Sequence, residues 1–276
     1  MSSTALVTGA NQGLGRALVA GLARALGTES SIYLTGRDTQ RVEAAAALAS
    51  TGLRVLSHRL DVGNAADIQA VAALLAARHG GLDIVISNAA ARRTPERPAS
   101  AQVRGFVAIN NLGTTRLIRA FAPLLRAQSR VLIVASAFGS LRNLAPHLHG
   151  RFDIETMTLD DVDAVMSDYV DAVESGRASA DGWPASINVA SKIGQVAAMR
   201  VFARDQRTQA RQDGRFIAAV CPGLIDTAAS RPWFADMSDA QTPDQAAVDV
   251  IDLAIGHIEP STYGELIQHH RILPWT

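Results

Sequence analysis

The stretch TGANQGLG, residues 8–15, directly follows an apolar run and opens a segment with helical periodicity. Glycines at positions 9, 13 and 15 let the backbone turn tightly and approach a pyrophosphate, which then lies on the amides at the start of the helix. An ordinary strand-to-helix turn is the alternative, but the strand, the glycines and the helix occur here together. The stretch therefore predicts a dinucleotide site formed by Gly9, Asn11, Gln12, Gly13, Leu14 and Gly15.

Short β-branched runs alternate with longer helical segments along the rest of the chain. We predict about seven buried strands, within TALVTG, SIYLTG, LRVLSHRL, LDIVISN, RVLIVAS, RFIAAVC and YGELI. The helical segments include residues 13–27, 39–50, 64–79, 101–127 and 186–209. This alternation is typical of a Rossmann-type α/β fold, a doubly wound parallel sheet with helices on both faces. Because no polar linker or internal repeat interrupts it, residues 1–276 are expected to form a single dinucleotide-binding domain.

Composition narrows the class of protein. The chain has 276 residues, 48% of them apolar, and a formal net charge of zero, so we expect a substantial core and neither nucleic acid nor a membrane as a partner. No apolar run approaches the roughly 20 residues that span a bilayer, and no group of potential ligands has metal-binding spacing. The single cysteine, Cys221, excludes an internal disulfide and, with a start that lacks a basic leader, favours a cytoplasmic protein.

The end of the second predicted strand indicates which dinucleotide binds. An acidic residue there would accept the ribose hydroxyls of NAD, whereas this chain has Gly36 followed by Arg37, with Arg41 one helical turn further. Arginine can bind a 2′-phosphate through two parallel hydrogen bonds, so we predict NADP. Asp38 could instead cap the next helix or neutralise Arg37, and Gln12 brings no charge. A solvated surface arginine is the alternative.

The stretch WPASINVASKIG, residues 183–194, contains Lys192, the one lysine among the 26 lysine and arginine residues. A lysine retained in so arginine-rich a sequence indicates that this position needs a compact primary amine. Asn188 lies four residues earlier, so on a helix the two side chains share one face. An amide offers hydrogen bonds, but it cannot act as an acid at ordinary pH.

Together these motifs resemble the short-chain dehydrogenases and reductases, and within them the carbonyl reductases that carry an insertion before the active-site helix. The similarity covers essentially the whole chain, with TGANQGLG, SNAA at 87–90, INNLGT, VASAFGS, GWPAS at 182–186 and CPGLIDT at 221–227. It implies an oxidoreductase that binds NADP and a small carbonyl or alcohol substrate. The cofactor residues that it adds are Asp61 and Val62 beneath the adenine, Asn88, Ala89, Lys192, Pro222, Gly223 and Thr227.

The resemblance also implies roles in catalysis. Asn110 would hold a water that contacts the lysine, Ser136 would polarise the substrate oxygen, Lys192 would bind the nicotinamide ribose, and Thr227 would touch the carboxamide. In the family, a tyrosine four residues before the lysine donates the proton, and this chain has Asn188 in its place. Loss of a positioned acid typically lowers a rate by about 10²- to 10⁴-fold, so weak or restricted activity is expected.

Three sources of the missing proton remain open. His147 and His149 lie on the loop that rims the substrate pocket in the family, and histidine titrates near neutrality. Tyr169 is a second source, although its helical spacing with neighbouring apolar residues is more typical of packing. The third is bulk water, relayed through the three site residues Ser136, Asn188 and Lys192.

The insertion, at about residues 141–184, has a helical centre. Thr158 and Asp161 suggest a capping box and Gly176 a stop, so we expect an amphipathic helix that lies on the body of the protein. The resemblance implies that this helix covers the surface through which relatives form tetramers, and hence a monomer. Binding of another partner is the alternative.

The substrate pocket is expected to be apolar. Its predicted walls are Phe138, His147, Trp183, Trp233, Phe234 and Met237, which favour a cyclic or aromatic ketone or secondary alcohol, although each of these side chains could equally belong to the core. Two functions remain open at this point: an atypical NADP-dependent oxidoreductase, and a catalytically silent NADP-binding sensor or interaction module.

Overall fold

The computed structural model describes residues 2–49 and 54–276. In this part of the chain one sheet has the strand order β3-β2-β1-β4-β5-β6-β7-β8, parallel throughout except for the last pair. The strands are β1 Thr4–Val7, β2 Ser31–Gly36, β3 Arg54–Arg59, β4 Leu82–Ser87, β5 Leu125–Val134, β6 Phe216–Val220, β7 Leu266–Gln268 and β8 Arg271–Leu273. The predicted doubly wound α/β fold is confirmed, with an eighth, three-residue strand beyond the seven expected.

The helices lie on both faces of the sheet. They are α1 Gly13–Ala25, α2 Thr39–Ala49, α3 Ala65–His79, α4 Val103–Val107, α5 Gly113–Phe121, α6 Leu159–Glu174, α7 Ile187–Asp213 and α8 Pro243–Ile255. Two predicted ends, the helix end at residue 50 and the strand start at residue 53, lie outside the described residues. None of the described helices is both long enough and apolar enough to cross a bilayer.

The predicted helix over 101–127 is wrong at its C-terminal end and is not uniform. A π-helical turn, Ala108–Leu112, separates α4 from α5, and the helix ends at Phe121. Pro123 follows within a 3₁₀ turn and cannot continue the ladder of backbone hydrogen bonds. Leu125 then begins β5, although the apolar periodicity of the sequence runs on past it.

Apolar side chains pack on the two faces of the sheet in two clusters. Leu6 belongs to the cluster that includes α3 and α5 to α7, whereas its neighbours Ala5 and Val7 belong to the cluster with α1, α2 and α8. This alternation along β1 follows from the pleat of a strand, whose successive side chains point to opposite faces. Helices therefore cover both faces of the sheet. The candidate site lies at the carboxyl ends of the parallel strands.

The insertion forms α6, and its predicted capping box is present. The Thr158 hydroxyl accepts from the Asp161 amide at 3.2 Å while the Asp161 carboxylate accepts from the Thr158 amide at 2.7 Å. Gly176, at φ +77°, follows the end of the helix. Ion pairs join α6 to the helices beneath it, from Arg104 to Glu174 and from Arg119 to Asp163. The helix therefore covers α4 and α5.

Candidate active site

The glycine loop after β1 has the shape that a pyrophosphate requires. Gly9 has φ +62° and Gly13 has φ +52°, a region that favours glycine. A Cβ on Gly9 would lie 2.7 Å from the Ala89 Cα, and one on Gly15 would lie 2.5 Å from the Gly9 carbonyl oxygen. Larger residues would push the loop away from its neighbours, whereas bare backbone lets an anion approach the amides.

The segment after β4 holds the other side of this loop. The amides of Asn88 and Ala89 donate to the Thr8 hydroxyl, each at 3.0 Å, and the Asn88 side chain donates to the Thr8 carbonyl at 2.9 Å. Thr8 is fully buried. Two of the predicted cofactor residues, Asn88 and Ala89, are therefore fixed against the glycine loop.

Helix α1 begins without a side-chain cap. Gln12 is its N-cap residue, but its side chain does not cap the helix, and the side-chain Oε1 instead accepts a hydrogen bond from the Arg41 guanidinium at 2.8 Å. The first amides of a helix have no partner within the helix and carry a positive partial charge. The uncapped helix start and the glycine backbone together fit the pyrophosphate of a dinucleotide.

Two arginines lie just beyond the end of β2. Arg37 is exposed, and Arg41 is held by Gln12. The Asp38 carboxylate accepts from the Arg41 backbone amide at 3.1 Å, so it caps α2, and among the described residues it forms no ion pair with Arg37. The sequence shows only that Gln12 is uncharged. It does not indicate that the Gln12 side-chain amide orients the Arg41 guanidinium.

The predicted adenine-side residues follow the neighbouring strands. A Cβ on Gly36 would lie 3.3 Å from the Asn11 side-chain oxygen, so Asn11 lies across the end of β2. After β3, the Asp61 carboxylate accepts from the Gly63 amide at 2.9 Å and Val62 is buried. Asn11, Asp61 and Val62 are thus at the same carboxyl edge as the glycine loop.

Lys192 extends from α7 to the end of β5. Its Nζ donates to the Val134 carbonyl oxygen at 3.1 Å. Burial of the amine lowers the pKa of Lys192 to about 8, although the nearby Cys221 thiol acts in the opposite direction. No carboxylate in the described part of the chain lies within ion-pair distance of Lys192. The ammonium therefore keeps two N–H donors for a ligand.

Ser136 and Asn188 lie on the two segments that flank this lysine. Ser136 follows β5, and its Oγ accepts from the Phe138 amide at 3.3 Å. The segment packs on α7, since a Cβ on Gly139 would lie 3.1 Å from the Lys192 carbonyl oxygen. Asn188 is half-buried in the first turn of α7, and its side-chain amide has no hydrogen-bond partner among the described residues. That amide is free to bond to a ligand.

Asn110 lies in the π-helical turn and is 1% exposed. Its Oδ1 accepts from the Ala91 amide at 2.8 Å, and its Nδ2 donates to the Ser191 hydroxyl at 3.3 Å. Asn111 also contacts Ser191, accepting from its hydroxyl at 2.9 Å and donating to its carbonyl at 2.8 Å. These bonds fix the residue immediately before Lys192, and π-helical turns are frequent at functional sites. Sequence reasoning missed Asn111 and Ser191.

The three residues considered as proton donors lie in or beside the insertion. The Nε2 atoms of His147 and His149 each lie 3.0 Å from a backbone carbonyl oxygen, of Asp181 and Leu144 respectively. Tyr169 is fully buried, its hydroxyl has no partner among the described residues, and burial raises its pKa. Tyr169 is therefore a core residue, as its spacing indicates, and a weak acid.

One predicted pocket wall is wrong. Trp183 is 5% exposed and packs in the core, with ring centroids 4.7 Å from Tyr169 and 6.3 Å from Phe152. Sequence position close to the active-site helix could not distinguish a pocket aromatic from a core one. Phe138 and Phe234 are 41% and 42% exposed. The half-buried members of the predicted wall are Trp233 and Met237.

The loop after β6 reaches back over the glycine loop. Gly223 has φ +81°, and the Pro222 carbonyl accepts from the Gln241 side-chain amide at 3.3 Å. A Cβ on Gly13 would lie 3.6 Å from the Thr227 methyl group. The predicted carboxamide contact, Thr227, therefore lies beside the loop that is expected to hold the pyrophosphate.

Arg93, which sequence reasoning missed, links segments that carry predicted site residues. Its guanidinium donates to the Ser186 hydroxyl at 3.1 Å, and its Cζ lies 3.7 Å from the centroid of the Trp233 ring. It thereby joins the segment after β4, the start of α7 and the loop after β6. The signal in the sequence is only a pair of arginines that follows SNAA.

Removing the Lys192 charge should stabilise the cofactor-free protein. Because burial lowers the Lys192 pKa to about 8, the unfolded chain binds more protons than the folded one between that pH and the ordinary lysine pKa, and wild-type stability rises with pH across this range. We expect Lys192→Met to raise the melting temperature at pH 7 by roughly 2–4 °C, on the order of 1 kcal/mol for a partly exposed side chain. The difference should shrink at pH 9.5.

Calorimetry of both proteins at the two pH values measures this effect. A variant that is less stable than wild type at pH 7, or a difference that does not change with pH, would contradict the proposed cost of the buried ammonium. The exposed Arg24, at the far end of α1, offers a control, because Arg24→Met should show no such pH dependence.

Comparison with known proteins agrees with this geometry. A family model described as short chain dehydrogenase matches residues 3–145. Carbonyl reductase [NADPH] 1 of Rattus norvegicus is 30% identical over 279 residues, with 98% of each chain covered, and the protein of that name from Homo sapiens has the same identity and coverage. The chain belongs to the short-chain dehydrogenase family and is an NAD(P)-dependent oxidoreductase. Within the family it is similar to the carbonyl reductases.

Solved structures share the fold. Salutaridine reductase from Papaver somniferum superposes with a TM-score of 0.80 at 22% identity, covering 96% of this chain and 99% of that one. Menthone neomenthol reductase from Mentha piperita gives a TM-score of 0.77 at 20% identity, covering 97% and 99%. At these identities the likeness concerns the fold alone.

Proposed function

We propose that the protein is an NADP(H)-dependent carbonyl reductase that interconverts an apolar, cyclic or aromatic ketone and its secondary alcohol at a restricted rate. The observation that supports the proposal is that Lys192 donates to Val134 at the carboxyl end of β5, two residues before Ser136, with Asn188 one helical turn before Lys192 on α7. The carbonyl reductases to which the chain is similar support the reaction class. We further propose that residues 1–276 work as a single dinucleotide-binding domain.

In this proposal the residues of the chain bind and orient the carbonyl group. The reduced nicotinamide, when bound, supplies a hydride. The Ser136 hydroxyl and the free Asn188 amide donate hydrogen bonds to the substrate oxygen, which gains negative charge as the reaction proceeds. Lys192 binds the nicotinamide ribose and adds a positive charge nearby. Phe138 and Phe234 shield the apolar part of the substrate.

The proton, we propose, comes from water and reaches the substrate oxygen through Lys192 and the Ser136 hydroxyl, while the Asn188 amide only donates hydrogen bonds. The lowered pKa of Lys192, about 8, brings the ammonium closer to the range in which a general acid is effective at neutral pH. Tyr169 is a poorer source, because burial raises its pKa. His147 and His149 stay as the other candidates, and a large loss of kcat in His147→Ala or His149→Ala would favour them over the relay.

NADP(H) is the cofactor, and Arg37 is proposed to select it. The exposed guanidinium of Arg37, together with Arg41, suits a 2′-phosphate, and no acid occupies position 36 to repel one. We expect Arg37→Ala to weaken NADPH binding by about 10- to 100-fold, the worth of a charge-assisted phosphate contact, while NADH binding is unchanged. Fluorescence titration measures both affinities, with Arg24→Ala as a control. Equal losses for the two nucleotides would contradict the role.

We further propose that the protein is a monomer and that it is located in the cytoplasm. A monomer is favoured because α6 and its ion pairs cover α4 and α5, the surface that the family resemblance associates with tetramers. Light scattering at low micromolar concentration tests this, and a stable tetramer would contradict it. The proposed compartment is the cytoplasm, with which the free, buried thiol of Cys221 is compatible.

A further inference from the structure

Arg93 lies where three segments around the proposed site meet. It follows the SNAA segment after β4, donates to Ser186 two residues before Asn188, and lies over the ring of Trp233 in the loop after β6. Because successive residues of a helix rise by only about 1.5 Å, the Ser186 contact brings the guanidinium close to the first turn of α7, which carries Asn188. Arg93 thus contacts the N-cap of the helix that carries Asn188 in its first turn.

The charge of Arg93 is not neutralised by the protein. Arg93 is half-buried, and in the described part of the chain no carboxylate lies within ion-pair distance of it. Arg200 and Arg215, which are also withdrawn from solvent, are paired with Glu265 and Asp213 respectively. Burial lowers the pKa of the Arg93 guanidinium, as expected for a cation that has lost water without gaining an anion.

The unused hydrogen-bond donors of Arg93 define what it can bind. A guanidinium has five N–H donors in one plane, and Ser186 takes one of them. The Trp233 ring covers a face of the group and leaves the in-plane donors available. Two parallel in-plane donors match the two oxygens of a carboxylate. One guanidinium balances one negative charge, so a monoanionic carboxylate fits better than a phosphate dianion.

We infer that Arg93 binds a carboxylate of the substrate, which makes the preferred substrates aromatic or cyclic ketones with a carboxylate next to the carbonyl, the 2-oxo acid class. The inference rests on the proposed function, because it concerns the substrate of that same site. The carboxylate pairs with Arg93 while Ser136 and Asn188 hold the adjacent carbonyl oxygen. The apolar body then lies against the exposed aromatic residues Phe138 and Phe234.

A purely structural role is the competing explanation. By bonding to Ser186 and stacking on Trp233, Arg93 could serve only to hold the loop after β6 against α7. Such a latch would affect every substrate alike. A carboxylate-binding role affects only substrates that carry the charge.

The test compares phenylglyoxylate with its uncharged methyl ester. We expect Arg93→Ala to lower kcat/KM for phenylglyoxylate by about 10- to 100-fold, as for loss of a charge-assisted contact, and to change that for the ester by less than about threefold. Arg92→Ala is the matched control, since Arg92 is the exposed neighbour with the same charge and should leave both values unchanged. Equal losses for acid and ester would overturn the inference in favour of the latch.

A second variant and a binding measurement keep the test decisive. Arg93→Gln retains a donor for Ser186 without the charge, so it should show the same selective loss even if Arg93→Ala is unstable. Calorimetric titration of mandelate, the product acid, into the NADP⁺ complex reports on Arg93 without turnover. If wild type reduces neither ketone, the proposed function fails, and the titration alone decides the inference: weaker mandelate binding in Arg93→Gln supports it, and unchanged binding overturns it.

Discussion

Asn188→Tyr should turn over a simple aromatic ketone faster than the wild-type protein does. The phenol would project from the same position of α7, one helical turn before Lys192, whose positive charge lowers the pKa of a nearby phenol. A positioned acid typically contributes about 10²- to 10⁴-fold, which bounds the gain in kcat. Asn188 is half-buried and its amide has no partner among the described residues, so replacement breaks no protein hydrogen bond. Steady-state oxidation of NADPH with acetophenone measures the change.

Asn188→Phe is the matched control, because it adds the same ring without the hydroxyl. We expect no gain from phenylalanine, and we expect Asn188→Ala to fall below wild type by up to about 10²-fold if the amide holds the substrate oxygen. Equal activity of the tyrosine and phenylalanine variants would show that position 188 does not deliver the proton. The neighbours matter for this result, because Ile187 is buried and Val189 is half-buried, and the ring must fit beside them.

Ser136→Ala should have the second-largest effect. If the hydroxyl donates to the substrate oxygen, its removal should lower kcat by about 10²- to 10³-fold, the usual cost of losing one donor to a developing negative charge. NADPH affinity should stay the same, because the proposed cofactor contacts of this chain do not include Ser136. Stopped-flow absorbance with NADPH and a saturating ketone measures kcat, and fluorescence titration measures the affinity.

Ser140→Ala is the control that separates loss of the Ser136 hydrogen bond to the substrate from loss of a hydrogen bond within the turn. Ser136 and Ser140 each accept a hydrogen bond from the backbone amide two residues later, both at 3.3 Å, so both substitutions remove a similar cap. Ser140 also donates to the Trp275 carbonyl at 3.1 Å and is buried. Ser140→Ala should therefore lower stability more than activity. A similar loss of kcat in the two variants would argue against a direct role of Ser136.

The order of elements was predictable because each signal is local. The glycine loop follows β1 and opens α1 as its sequence indicates, and Gly176 ends α6 as expected.

Helix α8 was missed, although Thr242 and Gln245 form a capping box with Pro243 at its start. Strand β8 follows His269 and His270, two residues with positive φ. Because neither residue is a glycine, the sequence does not indicate a turn there. Such a turn is stabilised by pairing across the sheet and has no local signature.

Candidate site residues that belong to a sequence motif could be predicted. Contacts between side chains from distant segments could not. Motifs alone predict Ser136 and Lys192 as site residues, and the fold brings their segments together at the end of β5. The contact of Gln12 with Arg41 joins residues on two different crossovers, and Arg93 meets Ser186 across 93 positions of sequence. No spacing rule connects such pairs, because the folded sheet alone brings them together. For the same reason Trp183 was misassigned to the pocket, since its burial depends on Tyr169 and other residues of the insertion.

The central claim is that the wild-type chain reduces a carbonyl group without the tyrosine of its family. The most direct measurement is a single turnover, in which protein preloaded with less than one equivalent of NADPH is mixed with an excess of an aromatic ketone panel that includes phenylglyoxylate. We expect loss of NADPH absorbance that depends on the ketone and matches the alcohol formed, at a slow rate that Ser136→Ala lowers further. Bound NADPH that no ketone oxidises in the wild-type protein would contradict the account, whether or not the Asn188→Tyr variant is active.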